Sequence, residues 1–318
     1  MTRAGVIINP GAGRGNGKGL ALAERLKARS VPSVVLLEQF GQLESALRGL
    51  AAQGVSDLYV SSGDGTIQAI QTLLVENKIF SSLPRLCLLP HGTTNMTAAD
   101  LGYQVTSIDA QASAIVNHHV REERARPTLR AVNPADGKPR HGMFFGTGAA
   151  AEATLYCQRA FNDNGVKGSY ATFATLAGAV ARTVFSRPDP HDVNRFDRPF
   201  PITARTDGFI ICEGPQLMLL ATTLDKLILG TRPFWGGKTA PVRVSVFPYP
   251  VPNVFRWLIP IMYGAETRKV PVGAKSHAVN WLAVSSPTSW VVDGEFFNGP
   301  PAEALRLETG PVFTYIRR

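Results

Sequence analysis

Residues 57–66 read "DLYVSSGDGT". Leu58, Tyr59 and Val60 make an apolar run of strand type, Ser61 and Ser62 follow, and a lone carboxylate, Asp64, stands between Gly63 and Gly65. Asp-Gly pairs are common turn formers, so a plain turn is one reading. The other is a ligand site, because glycines at a strand end let a polyphosphate approach a backbone that Cβ atoms would otherwise shield. The surrounding sequence decides between them.

Outward from this stretch, strand and helix alternate over the first 120 residues. "AGVIINP" (4–10), "SVVLLEQ" (33–39), "DLYVSS" (57–62) and "RLCLLP" (85–90) read as strands. Helical periodicity covers 17–29, 42–54 and 66–78, and a further helix follows "HGTTN" (91–95). Such alternation predicts a mostly parallel sheet covered by helices. Three glycine-containing turns, 9–19, 63–66 and 91–95, follow strand C-terminal ends. In open α/β sheets that edge is where ligands bind. After about residue 120, strand-like runs dominate: 143–148, 209–214, 216–224, 242–247, 278–286, 289–295 and 312–318, with helical stretches at 150–162 and 168–185. The expected fold class is thus α/β followed by β. An α/β domain spans 1–120, and a β-rich domain of sandwich type spans 121–299. Proline clusters at 187–201 and 248–252 are expected as surface loops.

The chain has 318 residues, 44 % of them hydrophobic, which suits two folded domains. No apolar run approaches the roughly 20 residues of a membrane-spanning helix; "YATFATLAGAVA" (170–181) comes closest and Arg182 closes it. The N-terminus lacks the apolar stretch and cleavage site of a signal peptide. Cys87, Cys157 and Cys212 are odd in number, far apart and without metal-ligand spacing. They are expected as small buried hydrophobes of a reducing compartment, which makes the protein cytoplasmic.

The formal net charge is +9, unevenly placed: from Lys226 to Lys275 eight cations face Glu266 alone. An anionic partner is expected. No recognition helix, zinc finger or RNA-binding aromatic signature accompanies the charge, so nucleic acid is not. Within the basic stretch, "PNVFRWLIPIMYG" (252–264) joins Phe255, Trp257 and Tyr263 to Arg256. Aromatics beside cations fit peripheral docking on an anionic bilayer, and a buried core segment is the alternative.

The first glycine loop, "NPGAGRGNGKG" (9–19), is not a Walker A loop, since Ala12 and Gly19 occupy its first and last positions. It fails G-x-G-x-x-G in every register as well, because Asn16, Lys18 or Leu20 replaces the third glycine. With Arg14 and Lys18 ahead of a helix it can still hold phosphate through backbone N–H groups, or be a flexible connection. In the second loop, Asp64 has two uses: holding magnesium through water, or accepting a substrate proton. Thr66 can cap the next helix and bond a phosphate or ribose. The third loop, "LPHGTTN" (89–95), offers Thr93, Thr94 and Asn95 to a nucleotide, or simply caps a helix. His91 is expected as a surface loop histidine, or else within reach of a phosphate.

Together, in this order and spacing, the asparagine-proline glycine loop, "GDGT" and "P-x-GTxN" resemble the diacylglycerol kinase catalytic-domain family. That family includes bacterial lipid kinases, sphingosine kinases and ceramide kinases, and is distantly related to NAD kinases. "GTGAAAEA" (146–153) resembles its glycine-rich turn, "KGSYATFATL" (167–176) its lysine-glycine-tyrosine helix, and "VVDGE" (291–295) its late acidic motif. The resemblance implies a nucleotide-binding α/β domain and a lipid-facing β domain, with residues 300–318 returning to the first. It implies an ATP site lined by Asn9, Pro10, Gly11, Gly13, Arg14, Gly63, Asp64, Gly65, Thr66, Gly92, Thr93, Thr94 and Asn95. Asp64 is its magnesium residue, and Asp64, Asp293 and Glu295 are its catalytic carboxylates, although a solvated Asp-Gly hairpin is the plain alternative for the last two.

Departures stand beside these matches. Ser62 replaces the first glycine of "GGDGT", and Met96 replaces an aspartate. Ala149, Ala150 and Ala151 stand where an aspartate is usual, and 236–247 holds no Asp or Glu. The implied activity is transfer of the γ-phosphoryl group of ATP, with magnesium, to a primary hydroxyl of a neutral membrane lipid, either diacylglycerol or ceramide and sphingoid bases. The protein would work on the inner face of the membrane. The alternatives are a NAD kinase-like enzyme and a non-catalytic nucleotide or lipid binder.

Overall fold

The computed structural model describes residues 3–117, 122–155, 198–300 and 303–317. They fall into two compact units, the first formed by 1–128, 226–228 and 311–318, the second by 129–225 and 229–310.

In the first unit, β1 (Ala4–Ile8), β2 (Val34–Leu36), β3 (Asp57–Ser62) and β4 (Arg85–Pro90) lie parallel in the order β2-β1-β3-β4. Beyond β4 the sheet gains the end of the chain, where Tyr315 pairs in parallel with Leu86. The helices are α1 (Lys18–Ala28), α2 (Leu43–Ala52), α3 (Asp64–Glu76), α4 (Met96–Asp100) and α5 (Ile108–Asn117). Every residue of β1 and β3 is buried. Continuous burial rather than alternation is expected of parallel strands covered on both faces. Val6 and Ile8 of β1, Tyr59 of β3 and Cys87 of β4 join Leu22 and Leu26 of α1, Ile115 of α5 and Ile316 in one apolar cluster. Burial pushes the Cys87 thiol pKa up to about 12, so it packs as a hydrophobe. The fully buried Asp57 is paired by Nε and Nη2 of Arg85, at 2.8 and 3.0 Å.

The second unit is sheet-rich. Its strands begin with β5 (Glu122–Ala131), which enters it at Leu129, then β6 (Arg140–Gly142), β7 (Phe144–Gly148), β8 (Phe200–Pro201), β9 (Thr203–Thr206) and β10 (Phe209–Cys212). There follow β11 (Pro215–Thr222), β12 (Val242–Pro248), β13 (Lys275–Val279), β14 (Trp281–Ser285), β15 (Trp290–Val292), β16 (Glu295–Phe297) and β17 (Leu305–Arg317), and between β12 and β13 lies a helix, α6 (Val254–Tyr263). Seven strands form one sheet, ordered β13-β12-β11-β7-β15-β16 with β8 on β11. The pairings β10-β9-β14-β17 and β5-β6 are antiparallel too. Trp290 is buried between Phe145 and Phe297, with ring centroids 5.6 and 4.9 Å away.

Two strand expectations are corrected. The run 278–286 is not one strand: Asn280 breaks it, β13 pairs with β12, and β14 pairs with β9 and β17. The last strand is longer than 312–318 and runs through Gly310-Pro311. Proline offers no N–H to a ladder, and here it sits where β17 changes partner, from β14 at 305–308 to β4 at Tyr315. Residues 149–155 are helical as expected. The rest of that stretch, the helix expected at 168–185, "KGSYATFATL", Cys157 and most of the proline-rich 187–201 lie outside the described residues. No helix among the described residues is long and apolar enough to cross a membrane.

Candidate functional site

β1, β3 and β4 are neighbours, so the loops leaving their C-terminal ends converge. Asn9 closes β1. Its N–H bonds the Ser61 carbonyl at 3.0 Å, its Nδ2 donates to Thr66 Oγ1 at 2.9 Å, and its Oδ1 accepts the Gly11 N–H at 3.0 Å. Loop one is thereby tied to the first turn of α3. Gly13 lies against loop three: at φ +58, a Cβ there would fall 2.4 Å from the His91 carbonyl oxygen. Asn16 Nδ2 donates to that same oxygen at 2.9 Å. Pro10 is half-buried, whereas Gly11 and Arg14 face solvent.

Loop two carries the carboxylate. Gly63, extended at φ −102 and ψ 178, is the N-cap of α3, and no side chain caps this end. Asp64 is the first helical residue, and it is buried rather than displayed at an open turn. Its Oδ2 accepts from Thr94 Oγ1 at 2.8 Å and from the Met96 N–H at 2.9 Å, and its Oδ1 accepts the Thr97 N–H at 3.1 Å. Met96 and Thr97 open α4, whose first amides have no partner within the helix, so Asp64 caps a neighbouring helix across two loops. A side chain at residue 96 is not needed for this bond, since the backbone makes it.

Loop three meets loop two closely. The His91 and Gly92 N–H groups both reach the Ser62 carbonyl, at 3.2 and 3.1 Å. A Cβ on Gly92 would lie 2.3 Å from the Gly63 Cα, so only glycine permits this approach. Asn95, left-handed at φ +48, closes the loop by bonding both the N–H and the carbonyl of Gly92 at 2.8 Å. Thr93 and Thr94 are exposed; Gly65 is half-buried; Thr66 is buried against Asn9.

His91 is not a surface histidine. It is buried, and its Nδ1 is 2.8 Å from Ser61 Oγ. Burial pulls its pKa down to about 4, nearby Lys18 adds to this, and the Gln111 side chain opposes it. It is a neutral strut beneath loop three. Asn16 and Ser61 escape sequence reasoning; the one signal for Asn16 is that it interrupts a glycine run.

In the second unit, Asp293 (φ +48) and Gly294 (φ +91) form the two-residue turn of the β15–β16 hairpin, and Val292 pairs with Glu295 across it. The Asp293 carboxylate is buried and accepts the Met143 N–H at 2.8 Å and the Phe144 N–H at 2.9 Å. Gly142 leaves room for it: a Cβ there would be 2.7 Å from Asp293 Oδ2. Glu295 is exposed. Glu152, after the three alanines, is paired with Arg198 at 3.1 Å.

The three loops thus present an uncapped helix N-terminus, small residues and exposed hydroxyls on one sheet edge, an arrangement suited to a phosphate group. Residues 3–125 match the diacylglycerol kinase catalytic domain. No curated protein matches the chain. Solved structures from Bacillus anthracis str. Sterne share the fold. One, described as a "putative diacylglycerol kinase", is 17 % identical over 99 % of this chain and 97 % of its own, with a TM-score of 0.65. Another, described as a diacylglycerol kinase, has the same identity and coverage at a TM-score of 0.63. The matched segment contains all three loops, whereas Asp293 and Glu295 lie beyond it.

Among the described residues no group of three or more His, Cys, Asp or Glu side chains could form a metal cage. Asp64 already accepts three hydrogen bonds, which leaves about one of a carboxylate's four or so lone-pair positions. That fits an outer contact to a metal-bound water, not a ligand bond.

Proposed function

We propose that this protein is an ATP- and magnesium-dependent lipid kinase that phosphorylates a primary hydroxyl of a neutral membrane lipid, with diacylglycerol first and ceramide or a sphingoid base second. One observation carries the reading: Asp64 and the Gly63–Gly92 contact lock loops two and three into a single glycine-lined edge, with the N-terminus of α3 open beside it.

The lipid hydroxyl oxygen attacks the γ-phosphorus, the bond to the bridging oxygen breaks, and ADP leaves. Such transfer depends on positioning and charge neutralisation more than on covalent help from the protein. Loop one, with Arg14 and Lys18, and the amides of loops two and three hold the phosphates. Thr93, Thr94 and Asn95 contact the rest of the nucleotide. Asp64, which holds loop three in place, would hold magnesium through a water, and that ion would supply neutralisation of the phosphate charge. The hydroxyl proton goes to Asp293 or Glu295; Glu295 is the exposed one and Asp293 holds the backbone next to it. The substrate is met at an anionic membrane surface on the cytoplasmic side.

The test is incubation with labelled ATP, magnesium and a panel of diacylglycerol, ceramide, sphingosine and NAD. Label in phosphatidic acid, or in a phosphorylated sphingolipid, is the expected result. Label in NADP, or in no acceptor at all, overturns the reading.

A further inference from the structure

α6 turns an apolar arc toward water. At 3.6 residues per turn, Leu258, Ile259, Met262 and Tyr263 share one side of the helix with Arg256 at its margin, while Trp257 and Ile261 point the opposite way. Ile261 is buried, yet Leu258, Ile259 and Tyr263 are 44, 65 and 53 % exposed. A surface helix ordinarily keeps its polar residues on that side. Leu229, 66 % exposed at φ +56, extends the patch: the Arg232 N–H just after it bonds the Met262 carbonyl at 2.7 Å.

The cations of this stretch divide into two kinds. Arg268 donates to the carbonyls of Ile261, Ala265 and Arg232 and so fastens the end of α6. Arg243 is buried, 3.3 Å from Asp225, and Lys238 reaches the same carboxylate at 3.0 Å. These hold structure. Arg232, Arg256 and Lys269 are exposed, and none forms an ion pair among the described residues. From 229 to 275 the only carboxylate is Glu266.

We propose that α6 is a membrane-docking element that places Leu258, Ile259, Tyr263 and Leu229 into the interface of an anionic bilayer, with Arg232, Arg256 and Lys269 against its headgroups. Exposed apolar area with a cationic rim and almost no acid matches that surface in both chemistry and sign. A second copy of the chain is a poorer occupant, because a two-fold contact would set the same cations against each other. The inference deepens the lipid-kinase reading and rests on it for the source of the lipid.

Flotation with vesicles of phosphatidylcholine alone, or mixed with phosphatidylglycerol, tests it. Wild type should float with the anionic vesicles preferentially, and less as salt rises. Ile259→Ser with Tyr263→Ser should lower partitioning about tenfold or more. Arg232→Gln with Lys269→Gln should do the same on anionic vesicles only. Thermal unfolding and phosphorylation of dispersed short-chain diacylglycerol should match wild type; if a serine variant unfolds early, Leu258→Gln replaces it. Flotation unchanged in the variants overturns the proposal. So does equal flotation on both vesicles, or a wild-type dimer that Ile259→Ser dissolves. If wild type floats as expected and phosphorylates no lipid, the kinase reading falls and the docking face stands.

Discussion

Two aspartate–glycine pairs, Asp64-Gly65 and Asp293-Gly294, follow buried strands, and in each the carboxylate accepts two consecutive backbone N–H groups from a distant segment. Asp64 takes Met96 and Thr97, and Asp293 takes Met143 and Phe144. The backbones differ. The first pair opens α3 after an extended glycine; the second turns a hairpin with both residues at positive φ. The dipeptide therefore does not fix the local shape. What recurs is the use of a buried carboxylate to hold a second piece of chain. The first also captures a hydroxyl, Thr94, from an exposed loop.

Asp64→Asn should have the largest effect. An amide presents an N–H to donors that need an acceptor, and each buried donor left unmet costs about 1–3 kcal/mol. A loss of roughly 2–4 kcal/mol in urea unfolding, with phosphoryl transfer nearly abolished, is expected. A variant as stable as wild type would show that the bond to loop three is unimportant.

Asp293→Asn sharpens the comparison, because asparagine tolerates the left-handed backbone and only the acceptor changes. It should cost about 2 kcal/mol. Glu295→Gln, on an exposed side chain, should leave stability alone and lower turnover about tenfold if it takes the proton. If turnover is normal in both, the hairpin is structural only.

The glycines differ in the same way. Gly92→Ala forces its Cβ into Gly63, and should cost about 1–3 kcal/mol and raise the KM for ATP. Gly294→Ala meets no neighbouring atom, so its cost, about 1 kcal/mol, comes from backbone conformation at φ +91 and should leave KM unchanged. Equal effects on KM would erase the distinction.

A further contrast concerns pH. His91 has a pKa of about 4 in the fold and an ordinary one, about 6.5, when unfolded. The unfolded chain therefore binds the extra proton first, and stability is lost as pH falls from 6.5 toward 4, by roughly 2 kcal/mol. His91→Asn should flatten that part of the urea-midpoint profile; an unchanged slope would remove His91 from the account.

Much of this was legible in the sequence. β3 and β4 begin and end where their apolar runs do, because parallel strands buried on both faces leave no polar interruption to blur them. The loops were legible as glycine clusters at strand ends. Which atoms they join was not: Asn16, Ser61 and His91 act through bonds spanning 30 residues or more. The start of α3 at Asp64 instead of Thr66 was hidden because the first helical turn is glycine-flanked and of low propensity. The break at Asn280 was masked by unbroken apolar patterning on both sides of it.

The strand that changes partner at Gly310-Pro311 has a consequence for the order of assembly. Chains are made from the N-terminus, so residues 3–125 leave the ribosome long before 311–317 exist. Until then the far edge of β4 lacks its neighbour, Gln71 lacks the Tyr315 hydroxyl it bonds at 2.6 Å, and Tyr103 lacks the Ile316 carbonyl. The sheet of the first unit thus waits with an open, apolar edge, the kind of surface that invites wrong pairing. Its completion waits on residues 311–317, and a nascent chain stalled before residue 311 should be the species that chaperones and proteases meet.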